Sequence, residues 1–346
     1  MKVLHLICTD IFSGAENVAC QIINGFQGDD NFEMVYCSPL GKNEQSLKER
    51  NIKYLKIEKF NIKCIKKAIK DFKPDVVHAH DIKASVMAAI VCSKNVKIIS
   101  HVHSNHENMR TINIKTILFN YFSKRFFKII WVSKSSFDSY IYKNKIGEKS
   151  IILYNAIDRN EVLNKIKKDN NDYENFDIIY LGRFSYAKNP KRFIEIIHNI
   201  KAKGYDIKTA MVGSGELYEE ITNLIEKLDL KGNIKLFGYV TNPYKILDNS
   251  KILVFTSIYE GTPMAALEAM ALGKPIVSTP TDGLKDIIIN KNNGEISNDN
   301  NELENAIIEL LKNDEKLEQY AQNALLQFEK ISNIDKYVFE IKNVYC

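Results

Sequence analysis

The chain has 346 residues, more than one ordinary domain and enough for two of roughly 150 to 180 residues. With 45% apolar and 26% charged residues it is not a disordered or fibrous chain, and no apolar run reaches the roughly eighteen residues that would span a membrane. The net charge of +5 hides an asymmetry: residues 1–157 carry 24 Lys and Arg against 14 Asp and Glu, whereas residues 158–346 carry 24 against 29.

A first half this basic fits an anionic partner, such as a phospholipid surface or a lipid-linked diphosphate. Nucleic acid is not expected, because no helix-turn-helix, zinc module or aromatic-basic signature accompanies the charge. The opening Met1 to Asp10 reads as a buried first strand rather than a signal peptide, so a cytoplasmic location is expected. Cys8, Cys20, Cys37, Cys64, Cys92 and Cys346 include no C-x-x-C pair and read as buried free thiols in a reducing compartment.

Short β-branched runs predict strands at Lys2–Cys8, Glu33–Ser38, Asp75–Ala79, Lys97–His101, Ile129–Val132 and Ile151–Tyr154. At the end of the fourth lies His101-Val-His103-Ser104-Asn-His106. Three histidines raise the question of a metal. However, the relative facing of His101 and His103 depends on the pleat, and no acidic third ligand is spaced nearby, so none is expected. Lys115 to Lys128 mixes five aromatic residues with Lys124 and Arg125. It reads as a helix packed on its sheet with a solvated basic edge, or alternatively as a membrane-surface helix.

The polar, lysine- and asparagine-rich stretch Asp158 to Asn175 reads as a linker. Beyond it, strands are predicted at Asp177–Leu181, Lys208–Val212, Ile234–Phe237, Ile252–Thr256 and Pro275–Ser278, and Asn290–Asn301 reads as a turn region. Strands alternating with helical stretches indicate parallel α/β sheets built from βαβ units, which bind ligands beyond the carboxyl ends of their strands. The expected division is 1–157 as the first Rossmann-like domain, 158–175 as the linker and 176–330 as the second domain. The 331–346 helix is expected to pack back on the first.

Three strand–glycine–helix junctions in the second half carry chemistry. Gly182-Arg183 with Lys188-Asn189-Pro190 supplies a forked guanidinium and a point charge for phosphate oxygens. Met211-Val-Gly213-Ser-Gly215 has two glycines of the dinucleotide fingerprint but lacks the third. In Glu260-Gly261-Thr262-Pro263-Met264 a loop enters a helix with Pro263 near its first position, which leaves backbone N–H groups for an anion. Glu260, and Glu268 on that helix, are acceptors suited to sugar hydroxyls, although an isolated glutamate pair is also simply solvated or locally paired.

Taken in order, G-R-x4-K-N, V-G-S-G, F-G-Y, E-G-T-P-M with Glu-x7-Glu, and L-G-K-P-I-V resemble the retaining GT-B glycosyltransferases of family 4. In the first half, Ser13-Gly14-Ala15-Glu16, Lys73-Pro-Asp-Val-Val-His78-Ala-His80 and Tyr154-Asn-Ala156-Ile-Asp158 fit the same pattern. The resemblance implies two doubly wound domains facing across a cleft. It implies Arg183 and Lys188 on the donor diphosphate, Gly14 and Gly213 in glycine loops at the donor, and Gly238 and Tyr239 at the base. Glu260 and Gly261 to Met264 would then hold the sugar, and Glu268 the ribose hydroxyls. On the acceptor side it implies Ser13 and Ser104, with His103, or alternatively His101, touching the sugar or acceptor. Two positions depart from the pattern: Thr262 stands where an aromatic or hydrophobic residue is usual, and Ala156 replaces a linker glycine.

The activity implied is retaining transfer of a hexose or N-acetylhexosamine from a UDP-type sugar to a glycan or lipid-linked acceptor at the inner face of the cell membrane, in cell-surface polysaccharide synthesis. No Asp-x-Asp follows a strand, so cationic side chains are expected in place of a metal, with no cofactor beyond the co-substrate. A hydrolase or epimerase on the same fold, an NAD-dependent dehydrogenase and an exported sugar-binding protein are the rival readings. Each lacks a feature here: an extra acid–base pair, a full glycine fingerprint, and a signal peptide.

Overall fold

The computed structural model describes residues 1–346 apart from 11–13, 42 and 104–106, with the side chain of residue 107 also left aside. The chain divides into two compact units, Met1–Asn155 with Ile334–Cys346, and Ala156–Asn333.

In the first unit the strands are β1 (Lys2–Leu6), β2 (Glu33–Pro39), β3 (Tyr54–Ile57), β4 (Val76–His80), β5 (Lys97–Val102), β6 (Lys128–Trp131) and β7 (Ser150–Ile152). They form a parallel sheet in the order β3-β2-β1-β4-β5-β6-β7. Helices cover such a sheet on both faces, which is why Val3, Leu4, Leu6, Val77, Ile98, Ile99 and Ile129 are wholly buried on consecutive as well as alternate positions. The order reverses between β1 and β4, and His5 lies in register with His78 at that point. The C-terminal helix Ile334–Tyr345 packs on helix Gly14–Gly25, and the Tyr345 hydroxyl reaches His78 Nδ1 at 2.7 Å.

In the second unit the strands are β8 (Phe176–Leu181), β9 (Thr209–Val212), β10 (Ile234–Gly238), β11 (Ser250–Phe255), β12 (Ile276–Ser278) and β13 (Gly294–Ile296). Their order is β10-β9-β8-β11-β12-β13, again parallel, with the reversal between β8 and β11.

Four sequence expectations change. The stretch Asp158 to Asn175 is not a linker: Asp158 caps a helix at Arg159–Lys167 by accepting from Asn160 N, and Arg159 Nε donates to Ala271 O at 2.8 Å. Its low apolar content reflects a helix that buries only one narrow stripe, against helices Tyr244–Asp248 and Met264–Ala271. The Asn290–Asn301 region holds strand β13 and the start of helix Asn300–Lys312, capped by Asp299. Pro263 is the N-cap of helix Met264–Ala271 rather than its first residue, with an extended backbone at φ −70°, ψ 127°. The cysteines are all free, but only Cys20 and Cys37 are buried, and Cys346 is exposed.

Candidate active site

Every candidate in the second unit follows the carboxyl end of a strand, where a doubly wound sheet leaves backbone groups open to a ligand. After β8 the chain turns through Gly182 and Arg183. Gly213, after β9, packs so tightly on this turn that a Cβ would stand 1.9 Å from Gly182 O, and its φ of +150° also excludes other residues. The Phe184 N–H donates to Ser214 O at 2.9 Å, which ties the two turns together.

Lys188 ends the short turn Tyr186–Lys188, and Asn189 then enters a left-handed conformation and caps helix Pro190–Ala202. Thr256 Oγ1, just past β11, donates to Asn189 O at 2.8 Å and so holds this segment against the neighbouring strand. The Ile258 N–H donates to Ala187 O at 2.8 Å. As a result the Lys188 ammonium donates to both Glu260 oxygens, at 2.5 Å for Oε2, and Ser257 Oγ donates to Oε1 at 2.7 Å. Glu260 is buried and Lys188 partly exposed, so the pair is partly desolvated and less screened by solvent than a surface ion pair. Arg183 does not join it: exposed, it pairs with Glu216 Oε2 at 3.1 Å.

The loop Gly261–Met264 is buried behind Glu260. Its support is Gly283, whose absent Cβ would lie 1.3 Å from Gly261 O, so only glycine fits there. Ala266 N donates back to Pro263 O, which leaves the first N–H groups of the helix, at Met264 and Ala265, without an intrahelical acceptor. Glu268 lies one turn further on, buried, and accepts a hydrogen bond from the Tyr244 hydroxyl at 3.0 Å. Tyr239 is well exposed beside Gly238, whose φ is +68°.

In the first unit, His103 and His101 are part of a larger arrangement. His78 and His80 on β4 share a face by the two-residue period of a strand, and His101 near the end of β5 stacks on His103 just beyond it, with ring centroids 4.1 Å apart. His80 and His101 are register partners. With His5 they make five stacked imidazoles, linked by His5 Nδ1···His80 Nε2 at 3.0 Å, His80 Nδ1···His103 Nε2 at 2.8 Å and His78 Nε2···His101 Nδ1 at 3.1 Å. Burial drives all five toward the neutral form: His5 and His103 fall to about 3, and His78, His80 and His101 lie well below the ordinary value, where mutual repulsion adds to desolvation. Gly14 opens helix Gly14–Gly25 and is exposed, while Ser13 and Ser104 lie outside the described residues.

Sequence reasoning grouped Arg183 with Lys188 and Glu260 with Glu268; the structure instead pairs Lys188 with Glu260, Arg183 with Glu216 and Glu268 with Tyr244. Sequence reasoning assigned no role to Ser257, three residues from the Glu260 it touches, or to Tyr244, Glu216 and Gly283, which are distant in the chain from the residues they touch. It quoted His78 and His80 within a motif without pairing them with His101 and His103, although two H-x-H pairs on predicted strands were signal enough.

Two family models match the chain, "Glycosyltransferase Family 4" over residues 12–161 and "Glycosyl transferases group 1" over residues 162–327. An uncharacterized glycosyltransferase of Methanocaldococcus jannaschii is 30% identical over 284 residues, covering 78% of this chain and 75% of the relative. A second from that organism is 31% identical over 236 residues, and of its length this chain spans 58%. The capsular polysaccharide biosynthesis glycosyltransferase CapH of Staphylococcus aureus is 27% identical over 290 residues, 78% of each chain. Among solved structures, Anabaena HepE in complex with UDP and glucose superimposes with a TM-score of 0.86 at 19% identity, over 99% of this chain and 98% of that one. The fold is therefore the two-domain GT-B arrangement.

Proposed function

The chain belongs to the group 1 glycosyltransferases, and from its site we propose that it moves a hexose or N-acetylhexosamine from a nucleoside diphosphate sugar, UDP-linked in our reading, to a glycan or lipid-linked acceptor. The observation that carries this reading is the Lys188–Glu260 pair at the switch point between β8 and β11, beside the open N–H groups of Met264 and Ala265. A cation held by a buried carboxylate is ready for exchange. An arriving diphosphate takes the ammonium, and Glu260 is released to accept from sugar hydroxyls. Arg183, Lys188 and the helix N-terminus then stabilise the negative charge that grows on the leaving diphosphate, which is preorganised electrostatic catalysis. Glu268, oriented by Tyr244, accepts from ribose hydroxyls, and Tyr239 offers a face for the base.

Retention follows in this reading from attack on the face the diphosphate leaves, with the leaving oxygen taking the acceptor's proton. Among the described residues no carboxylate stands out for the double displacement that is the other route to retention. UDP is favoured by Anabaena HepE in complex with UDP and glucose, and an acceptor in cell-surface polysaccharide by CapH. The poly(ribitol-phosphate) alpha-N-acetylglucosaminyltransferase of Staphylococcus aureus, 27% identical over 208 residues, favours the same acceptor class.

A membrane-facing acceptor side also fits helix Ile114–Phe122. It buries Thr116 and Phe119 and exposes Ile114, Ile117, Leu118 and Tyr121, with Ile112 and Phe127 nearby and Lys115 and Lys124 alongside. This combines the two sequence readings, since the helix packs on its sheet and still presents an apolar, cation-fringed face to a lipid surface. No helix among the described residues is long and apolar enough to cross a membrane.

The test of the donor is a thermal profile of the protein against UDP-, GDP-, ADP- and dTDP-sugars. UDP-sugars are expected to raise the midpoint most. A preference for another nucleotide would overturn the UDP assignment, and no shift with any of them would overturn the donor site itself.

A further inference from the structure

Five of the chain's seven histidines meet in one buried cluster at the switch point of the first sheet, a concentration that neither transfer chemistry nor packing requires. An apolar residue at any of these positions would need no partners. The imidazoles, in contrast, leave His5 Nε2, His101 Nε2 and His103 Nδ1 buried without hydrogen bonds among the described residues. Each such orphan is a cost to the fold. A sheet centre that carries three of them has groups in place for a ligand that accepts nitrogen lone pairs.

We propose that His80, His101 and His103 form a binding site for a divalent transition ion of the zinc type, outside the donor machinery of the second unit. One ring nitrogen from each lies within 4.8 Å of the other two. Modest ring rotation brings them to the roughly 3.3 Å spacing set by zinc–nitrogen bonds of ~2.0–2.1 Å in tetrahedral geometry. A second trio, His5, His78 and His80, satisfies the same distance but is wholly buried. His103 is only partly buried, so the first trio is the nearer of the two to the surface.

The surrounding bonds hold the rings in place, as the outer groups of metal sites do. The Tyr345 hydroxyl holds His78 Nδ1 at 2.7 Å and His78 Nε2 meets His101 Nδ1 at 3.1 Å, so His101 Nε2 is the ring nitrogen left without a partner among the described residues. His80 Nε2 is held by His5 Nδ1, and His80 Nδ1 faces His103 Nε2 at 2.8 Å. The ion replaces that single hydrogen bond. His5, His78 and Tyr345 are thereby the orienting groups behind the ligands, and Asp81, whose Oδ1 accepts from the His103 backbone N–H at 2.9 Å, brings a negative charge beside the dication. Imidazole nitrogens without thiolate or multiple carboxylates select zinc, copper or nickel over calcium or magnesium. The sequence expectation of no metal rested on the lack of an acidic third ligand near His101 and His103; the third ligand is the neighbouring strand's His80.

The test uses the full chain, stripped with chelator and dialysed against zinc chloride, with bound metal counted by mass spectrometry and the fold followed by thermal midpoint. One zinc per chain is expected, with a raised midpoint, and cobalt should give the visible bands of a four-coordinate nitrogen site. His103→Ala, at a partly exposed position, and His101→Ala should each weaken zinc binding at least tenfold, whereas His198→Ala should leave it unchanged. Absence of stoichiometric zinc, or zinc held equally well by the His103 and His101 variants, would overturn the site. Because the readout is metal content, failure here is separate from failure of the glycosyltransferase reading.

Discussion

The Lys188 ammonium donates to both oxygens of the Glu260 carboxylate across the switch point of the second sheet, with Ser257 completing the grip. Two residues 72 positions apart are thus one functional unit, and the consequences can be measured separately for stability and for turnover.

Lys188→Ala removes the cation and leaves a buried carboxylate unpaired. Turnover should fall by about 100-fold or more, as for loss of one preorganised electrostatic donor. Stability should fall by about 1–3 kcal/mol, chiefly from the orphaned Glu260. Adding Glu260→Gln should restore much of the stability and none of the turnover. Urea titration of the two variants checks this, and equal instability of single and double variants would contradict it.

Glu268 accepts from Tyr244, and under the proposed function the two meet the nucleoside together. Glu268→Gln should weaken UDP binding by calorimetry by about 10- to 100-fold, in line with the 1.5–3 kcal/mol of a charged hydrogen bond. Tyr244→Phe, which loses only the orienting hydroxyl, should have a smaller effect in the same direction. Unchanged affinity in the Glu268 variant would remove it from the donor site.

Gly283 supports the Gly261 loop by having no side chain. In Gly283→Ala the added carbon would collide with Gly261 O, and the Gly261–Met264 segment must shift. Loss of donor binding with a largely retained circular-dichroism spectrum is expected. Normal binding would mean that the loop does not hold the sugar diphosphate.

The buried imidazoles make the metal-free fold sensitive to acid. Unfolded, a histidine titrates near 6.5, whereas folded His5 and His103 are lowered to about 3. Between these values the unfolded chain binds more protons. Stability is therefore fully present above pH ~6.5 and declines below it, by about 1.4 kcal/mol per pH unit for each histidine that stays neutral in the fold. Urea midpoints in chelator should drop steeply from pH 7 to pH 5; a flat profile would mean that the cluster accommodates protons.

The outer face of helix Ile114–Phe122 should bind lipid. Vesicles containing phosphatidylglycerol are expected to retain the protein in flotation, and Ile114→Ser with Tyr121→Ser should abolish at least half of that retention without lowering the thermal midpoint. Equal flotation of both proteins would assign the patch another role.

Much of this architecture is legible in the chain. The central strands β1, β4, β8 and β11 are covered on both faces, so their apolar runs stand out. Strand β3 was missed because an edge strand alternates, with Lys53 and Lys56 beside buried Ile57. Strand β13 was missed because three residues between asparagines carry no period. The Glu260–Met264 segment could be read because its chemistry is contiguous along the chain. Tyr244 and Gly283 could not, since each matters through one long-range contact. The histidine cluster lies between these cases: every member is visible, but only the order β1-β4-β5 brings His5, His80 and His103 together.

The most direct measurement is transfer itself. Radiolabelled UDP-sugars are incubated with the protein and a membrane lipid and glycan extract, in parallel with the Lys188→Ala variant. Label should move into the lipid or glycan fraction with the native protein and stay in the nucleotide with the variant. Label released as free sugar or as an epimer, or transfer by the variant within a few-fold of the native rate, would contradict the account.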